Sequence, residues 1–305
     1  MQNILDAAIG FSLPHTLEGK TASYIPELSK VDARQLGVAV VDMDGKSWSS
    51  GDCHNVFTMQ SISKVAALML AIMDNGEQYV FSKVGMEPTG DPFNSIIKLE
   101  TMKTAKPLNP MINAGAIAVD SLISGEGVED KLNRLIGFVR KLCHNDKIWF
   151  NQDVYTSEST TGFRNRALAN FMKDAGIIEG EVEAVLELYF KQCSIEVNAL
   201  DIAMMGAVLA GDGKSPITGE VLIPKGIARL VKTFMVTCGM YDASGEFAVR
   251  VGLPSKSGVG GGIVAAVPGQ MGIGVFGPAL DSKGNSAGGI KILEYISKEL
   301  DLSIF

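Results

Sequence analysis

The period of hydrophobic and polar positions changes twice along the 305 residues. An amphipathic stretch at 2–9 is followed by a loop carrying Pro14 and Pro26. Leu36-Gly37-Val38-Ala39-Val40-Val41 is then apolar without interruption, as in a buried strand. Asp44-Gly45 marks a hairpin turn into a second strand near Trp48. Beyond that the period is helical, and it predicts helices at 61–75, 110–124, 128–142, 162–174, 181–192, 200–210 and 226–238. Asn198 and Asp201 form a capping pair ahead of the sixth of these. Strand character returns only at 247–251, 262–267 and 271–276, in short runs punctuated by Gly and Pro. A closing helix at 287–300 carries Ile290, Leu293, Ile296 and Leu300 at helical spacing.

Two early strands and three late ones thus bracket a helical block. Short connections between the late strands favour antiparallel pairing, so the expected α+β architecture is one antiparallel sheet of about five strands. The terminal helices should cover its face. Residues 1–305 are read as one domain, with a sheet lobe from about 1–55 and 240–305 and an inserted helical lobe from about 56–239. Small-molecule sites favour the cleft between such lobes, and Ser61, at the start of the inserted lobe's first helix, falls there.

Composition narrows the function. A hydrophobic content of 46%, 20% charged residues and a net charge of −7 fit a globular protein whose main partner is neither nucleic acid nor an anionic membrane. Four cysteines without a CxxC pair are expected as free structural thiols rather than disulfides or zinc ligands. His15, His54 and His144 are dispersed, which argues against a Ser–His triad and against a metal site. The run 258–262 lacks the GxGxxG-then-helix context of a nucleotide site, and no cofactor is expected. The 14 methionines read as core filler. The N-terminus shows no basic segment followed by an apolar core, and the apolar run 65–73 is too short to span a bilayer, so the expected location is cytoplasmic.

Ser61-Ile62-Ser63-Lys64 opens the strongly apolar run 65–73. Residues three apart share a helix face, so the Ser61 hydroxyl and the Lys64 amine can meet at a helix start, where backbone N–H groups favour developing negative charge. A serine beside a lysine held neutral is a nucleophile with its own proton acceptor. The plainer reading is a capping serine and a solvated lysine. Lys256-Ser257-Gly258, inside the glycine-rich stretch ahead of the penultimate strand, is a second signal: its glycines let backbone N–H groups approach a substrate, as an oxyanion hole requires. Alone it reads as a flexible turn.

Together, Ser-x-x-Lys and Lys-Ser-Gly on a split sheet are the hallmarks of the β-lactamase/transpeptidase-like fold. Within that superfamily the chain resembles the serine-dependent glutaminases of bacterial type, from Tyr24 to Ser286. The blocks that carry the resemblance are 57–64 (Phe-Thr-Met-Gln-Ser-Ile-Ser-Lys), 87–95, 106–116, 157–159 with 164–166, 189–194 and 237–245. The resemblance implies hydrolysis of L-glutamine to L-glutamate and ammonia through a γ-glutamyl-serine intermediate. It implies Ser61 as nucleophile, Lys64 as general base, and Tyr189 and Tyr241 as tyrosines beside the nucleophile. It also implies an oxyanion hole from the N–H groups of Ser61 and Val259. Tyr24, Gln60, Asn113, Glu158 and Asn165 would hold substrate, and a homodimer or homotetramer is expected. The chemistry agrees: Glu158 suits an ammonium group, while Asn113 and Asn165 can donate to a carboxylate. A penicillin-type substrate, an asparagine preference and a non-catalytic amino-acid-binding module are the competing readings.

Overall fold

The computed structural model describes residues 1–90, 94–95 and 106–305; of the block 87–95, residues 91–93 lie outside the described residues. Five strands form one antiparallel sheet: β1 (Gly37–Asp42), β2 (Ser47–Gly51), β5 (Ser255–Ser257), β6 (Gly262–Val267) and β7 (Met271–Phe276), in the order β2-β1-β7-β6-β5. The N-terminal hairpin therefore joins the C-terminal strands edge to edge, with β1 against β7 from Gly37↔Phe276 to Asp42↔Met271. A second, two-stranded ladder pairs β3 (Phe57–Thr58) with β4 (Glu196–Val197).

Side-chain alternation assigns the two faces. Val38, Val40, Ile263, Ala265, Ile273 and Val275 pack with Leu5, Ile292, Leu293 and Ile296 of the Gln2–Ser12 and Ala287–Leu300 helices. Each fully buried Ile or Leu there contributes about 1.5–3 kcal/mol. Ala39, Val41, Val264, Ala266 and Phe276 face the other way and share a core with the helical residues. The Ala199–Ala210 helix lies on this second face, against β7, β6 and β1. It can do so because β7 carries Gly272 and Gly274 on that side: a Cβ on Gly272 would fall 2.0 Å from the Ala207 nitrogen, and one on Gly274 2.0 Å from the Ala199 oxygen. The Ser63–Asn75 helix is buried on every face through Ile72, as its unbroken apolar run demands.

The predicted helices are present, with the one expected at 110–124 shorter, Asn113–Ser121. The Asn198–Asp201 capping box is formed in both directions, at 3.0 and 2.9 Å. One element is a correction. The stretch 247–251, expected as a strand, lies mostly within the helix Ser244–Arg250; the third C-terminal strand is β5, at Lys256 itself. In a helix Phe247 and Val251 lie one turn apart and both are buried, whereas Val249 is 88% exposed. A Glu246–Arg250 ion pair at 3.0 Å spans the same turn. The helix Gln152–Thr161 is an element the period does not announce, because Val154 is its one buried aliphatic side chain. No described helix is long and apolar enough to cross a membrane.

Candidate active site

The chain leaves β3 and enters a single 3-10 turn, Gln60–Ile62, which continues into the Ser63–Asn75 helix. Ser61 therefore sits on this turn, two residues before the α-helix, which was expected to begin at 61 and begins at Ser63. Gln60 adopts φ +48, a conformation that costs a non-glycine residue about 1–3 kcal/mol. The glycine-rich loop between β5 and β6 packs directly on this turn. A Cβ on Gly258 would lie 2.4 Å from the Met59 oxygen, and one on Gly260 2.4 Å from the Thr58 oxygen. Only glycine at these positions lets the loop bring Val259 against Gln60 and Ser61, and all three line one cleft of about 620 Å³.

Lys64, in the first turn of the Ser63–Asn75 helix, is fully buried. Its Nζ donates to Asn113 Oδ1 at 2.8 Å and to the Met111 oxygen at 3.3 Å, both neutral acceptors. Burial is the largest influence on it and lowers its pKa to about 8, against weaker raising effects from Cys193, Asp120 and Glu158. Asn113 is set by its own turn, where Asn109 Oδ1 accepts the Met111 and Ile112 N–H groups at 3.0 and 3.2 Å. The other end of the Asn113 amide donates to Asn165 Oδ1 at 3.1 Å. A chain of contacts thus runs from Lys64 through Asn113 to Asn165.

Glu158 projects from the Gln152–Thr161 helix, whose start is capped by Asn151 Oδ1 accepting from Asp153 and Val154 at 3.0 and 2.9 Å. Its carboxyl is buried and accepts from Gln60 Nε2 at 2.7 Å. Burial raises its pKa to about 7, opposed by the Gln60 hydrogen bond and by Lys64. Tyr241 sits below Ser61 on the turn Tyr241–Ala243 with φ +56; its hydroxyl bonds to the Ser61 side chain and donates to the Ser257 oxygen at 3.2 Å. Tyr189 and Cys193, one turn apart on the Val182–Cys193 helix, are buried and hydrogen-bonded to each other, and burial pushes both pKa values up.

Of the residues singled out from sequence, Tyr24, Gln60, Ser61, Asn113, Glu158, Asn165, Tyr189 and Val259 line the cleft. Lys64 and Tyr241 stand behind its wall in contact with those residues. Tyr24, 55% exposed, forms the mouth. Asn94, Thr161, Gly162, Arg164 and Cys193 also line the cleft without having been singled out individually. Asn94, Arg164 and Cys193 belong to the blocks that carry the resemblance, which is the signal that could have found them.

The glutaminase family profile matches residues 19–305. A glutaminase of Clostridium botulinum (strain Loch Maree / Type A3) is 58% identical over all of both chains, and glutaminase 2 of Clostridium perfringens (strain 13 / Type A) is 57% identical over the same extent. Among solved structures, the Bacillus subtilis glutaminase YbgJ in covalent complex with 5-oxo-L-norleucine superposes with a TM-score of 0.92 at 42% identity, covering 100% of this chain and 99% of that one. A Bacillus glutaminase crystallised in 4.3 M NaCl gives a TM-score of 0.92 at 44% identity, over 99% and 98% of the two chains. The chain belongs to the glutaminase family.

Proposed function

We propose that the protein hydrolyses L-glutamine to L-glutamate and ammonia through a γ-glutamyl-Ser61 ester. The observation that carries this reading is the buried Lys64, three residues from Ser61, bonded to neutral acceptors and with a pKa of about 8. About a tenth of that amine is free base at pH 7, far more than of a lysine at its ordinary pKa, so it can take a proton as few lysines can. Ser61 Oγ attacks the side-chain amide carbon while Lys64 Nζ takes its proton. The oxyanion is held by the N–H groups of Ser61 and Val259, and this reading is supported by both residues lining the cleft. The C–N bond breaks as the leaving nitrogen takes that proton back, with the Tyr241 hydroxyl bridging to Ser61. Water then attacks the ester carbonyl as Lys64 again accepts a proton, and the C–O bond to Ser61 breaks as Lys64 returns that proton to Ser61 Oγ, releasing L-glutamate.

Recognition of the amino-acid head follows from the charges on the wall. Glu158 is the one carboxylate among the described lining residues and suits the α-ammonium; Arg164 is the one cation, and with Asn113 and Asn165 it suits the α-carboxylate. Tyr189 closes the buried end and Tyr24 the mouth. The antiparallel sheet with its helical insertion supports the β-lactamase/transpeptidase-like class, with lobe boundaries near 55 and 240. The four free cysteines are consistent with a cytoplasmic enzyme, and exposed Phe163 and Val249 with a homodimer or homotetramer.

The test is ammonia release from L-glutamine, L-asparagine and a penicillin reporter side by side, followed by labelling with 6-diazo-5-oxo-L-norleucine and peptide mapping. Turnover preferring L-glutamine, with the label on Ser61 and none on Ser61→Ala, is expected. Turnover of the penicillin reporter alone, or a label on another residue, would contradict the reading.

A further inference from the structure

Gln60 was singled out from sequence as a residue that holds substrate, yet its amide is already engaged. Nε2 donates to Glu158 Oε1 at 2.7 Å and to Thr58 Oγ1 at 3.3 Å, so both N–H groups are committed within the protein. The side chain is buried under the glycine-rich loop: a Cβ on Gly258 would lie 3.4 Å from the Gln60 Cβ, and one on Gly260 3.5 Å from its Cγ. The Gln60 backbone oxygen accepts from Ser63 Oγ at 2.7 Å, and the residue keeps its strained φ of +48.

Glu158 has the complementary need. It lies 98 residues along the chain, buried, and among the described residues the Gln60 amide is the one hydrogen-bond donor to its carboxyl. A carboxylate taken out of water is costly unless donors replace that water. Burial raises its pKa to about 7, and the Gln60 bond is the larger of two opposing effects, ahead of Lys64. Tyr24, Tyr189 and Cys193 face the same carboxyl but are held protonated by their own burial, and Arg164 lines the same cleft. With Gln60 on Oε1, the second carboxylate oxygen is left for a ligand's ammonium.

We infer that Gln60 is a positioning residue that acts through Glu158: its amide keeps the Glu158 carboxylate charged and fixed beside the turn that carries Ser61, so that one hydrogen bond joins the anchor of the substrate's head group to the residue preceding the nucleophile. The inference rests on the reading above, in which Glu158 pairs with the α-ammonium and Ser61 is the nucleophile.

The test is KM for L-glutamine against pH in wild type, Gln60→Met, Glu158→Gln and the double variant. Methionine matches glutamine in length and carries no donor. Without the bond the Glu158 pKa rises further, so the acid-side rise in KM should move about one unit to higher pH. At pH 6 that raises KM by close to tenfold, and the difference should fade toward pH 9. An amide at 158 has no charge to hold, so the double variant should stay within about twofold of Glu158→Gln. If Gln60 only packs, the midpoint stays where it is and the two losses multiply; either result, beside a raised KM in Glu158→Gln, overturns this inference alone. Glu158→Gln with wild-type KM overturns both it and the reading beneath it. If a thermal melt shows that Gln60→Met does not fold, Gln60→Gly, which takes a positive φ without strain and also lacks the donor, enters the same cycle with the same expectations.

Discussion

Burial disfavours the charged form of both Lys64 and Glu158, and this brings two groups of opposite kind to pKa values of about 8 and about 7. For Lys64 the base form grows as pH rises through about 8, so kcat/KM should climb on that flank. Lys64→Arg, which keeps the charge but cannot accept a proton, should lose at least about a thousandfold in kcat; retention of a tenth of the activity would assign the base elsewhere. For Glu158 the carboxylate proposed to pair with the substrate ammonium is lost as pH falls below about 7, so KM should rise there. In Glu158→Gln, KM should be high at every pH, a loss worth about 2–5 kcal/mol of binding. The same carboxyl has a stability consequence of opposite sign. Its folded pKa lies above the ordinary 4.5, so the folded state holds the extra proton between about 4.5 and about 7, stability falls as pH rises through that window, and the full penalty of about 3 kcal/mol stands above it. Glu158→Gln should therefore melt higher than wild type at pH 8; a lower Tm would mean that the carboxylate is compensated in the folded state. The Ser61–Lys64 spacing was legible from sequence because it needs only three residues. The Lys64–Asn113–Asn165 chain and the Glu158–Gln60 bond were not, since each joins residues 49 or more apart in the chain.

Elements explain why the turn that carries Ser61 has its shape. The loop 258–262 packs glycine backbone onto Thr58–Gln60, where Gln60 holds its positive φ. Gly258→Ala should push the loop off the Met59 oxygen and move the Val259 N–H, with kcat falling by about 10²–10³-fold, the range for loss of one oxyanion donor. Unchanged kcat in a folded Gly258→Ala would remove Val259 from the proposed hole. Elements with a strong stripe or an unbroken apolar run were legible: the Ser63–Asn75 helix, the central strands and the closing helix all lie within a few residues of expectation. The misread stretch 247–251 alternates as a strand would, and its helical state goes with the burial of Phe247 and Val251 together and the Glu246–Arg250 ion pair across the same turn. The Gln152–Thr161 helix escaped because polar residues and β-branched threonines fill it, and its strongest local signal is the single cap at Asn151.

At the scale of the molecule, the hydrophobic core that includes the inner sheet face also takes in the helix bearing Lys64, so the proposed base is held by the same packing that joins sheet to helices. The sheet order could be read only in part. Two early and three late strands were visible, but β5 is three residues long and carries Lys256 in its middle, so nothing in its composition marks it as the edge. Light scattering should give two or four times the 32.4 kDa of one chain; a single-chain mass across micromolar concentrations would contradict the assembly. The central claim is the ester on Ser61, and Cys193, a second nucleophile type lining the cleft, is its natural rival, although burial holds that thiol protonated. The most direct measurement is acid quenching during L-glutamine turnover, with mass spectrometry of the peptides bearing Ser61 and Cys193. A glutamyl increment on the Ser61 peptide that disappears in Ser61→Ala is the predicted result. Full turnover with an increment on the Cys193 peptide instead, or undiminished turnover in Ser61→Ala, would contradict it.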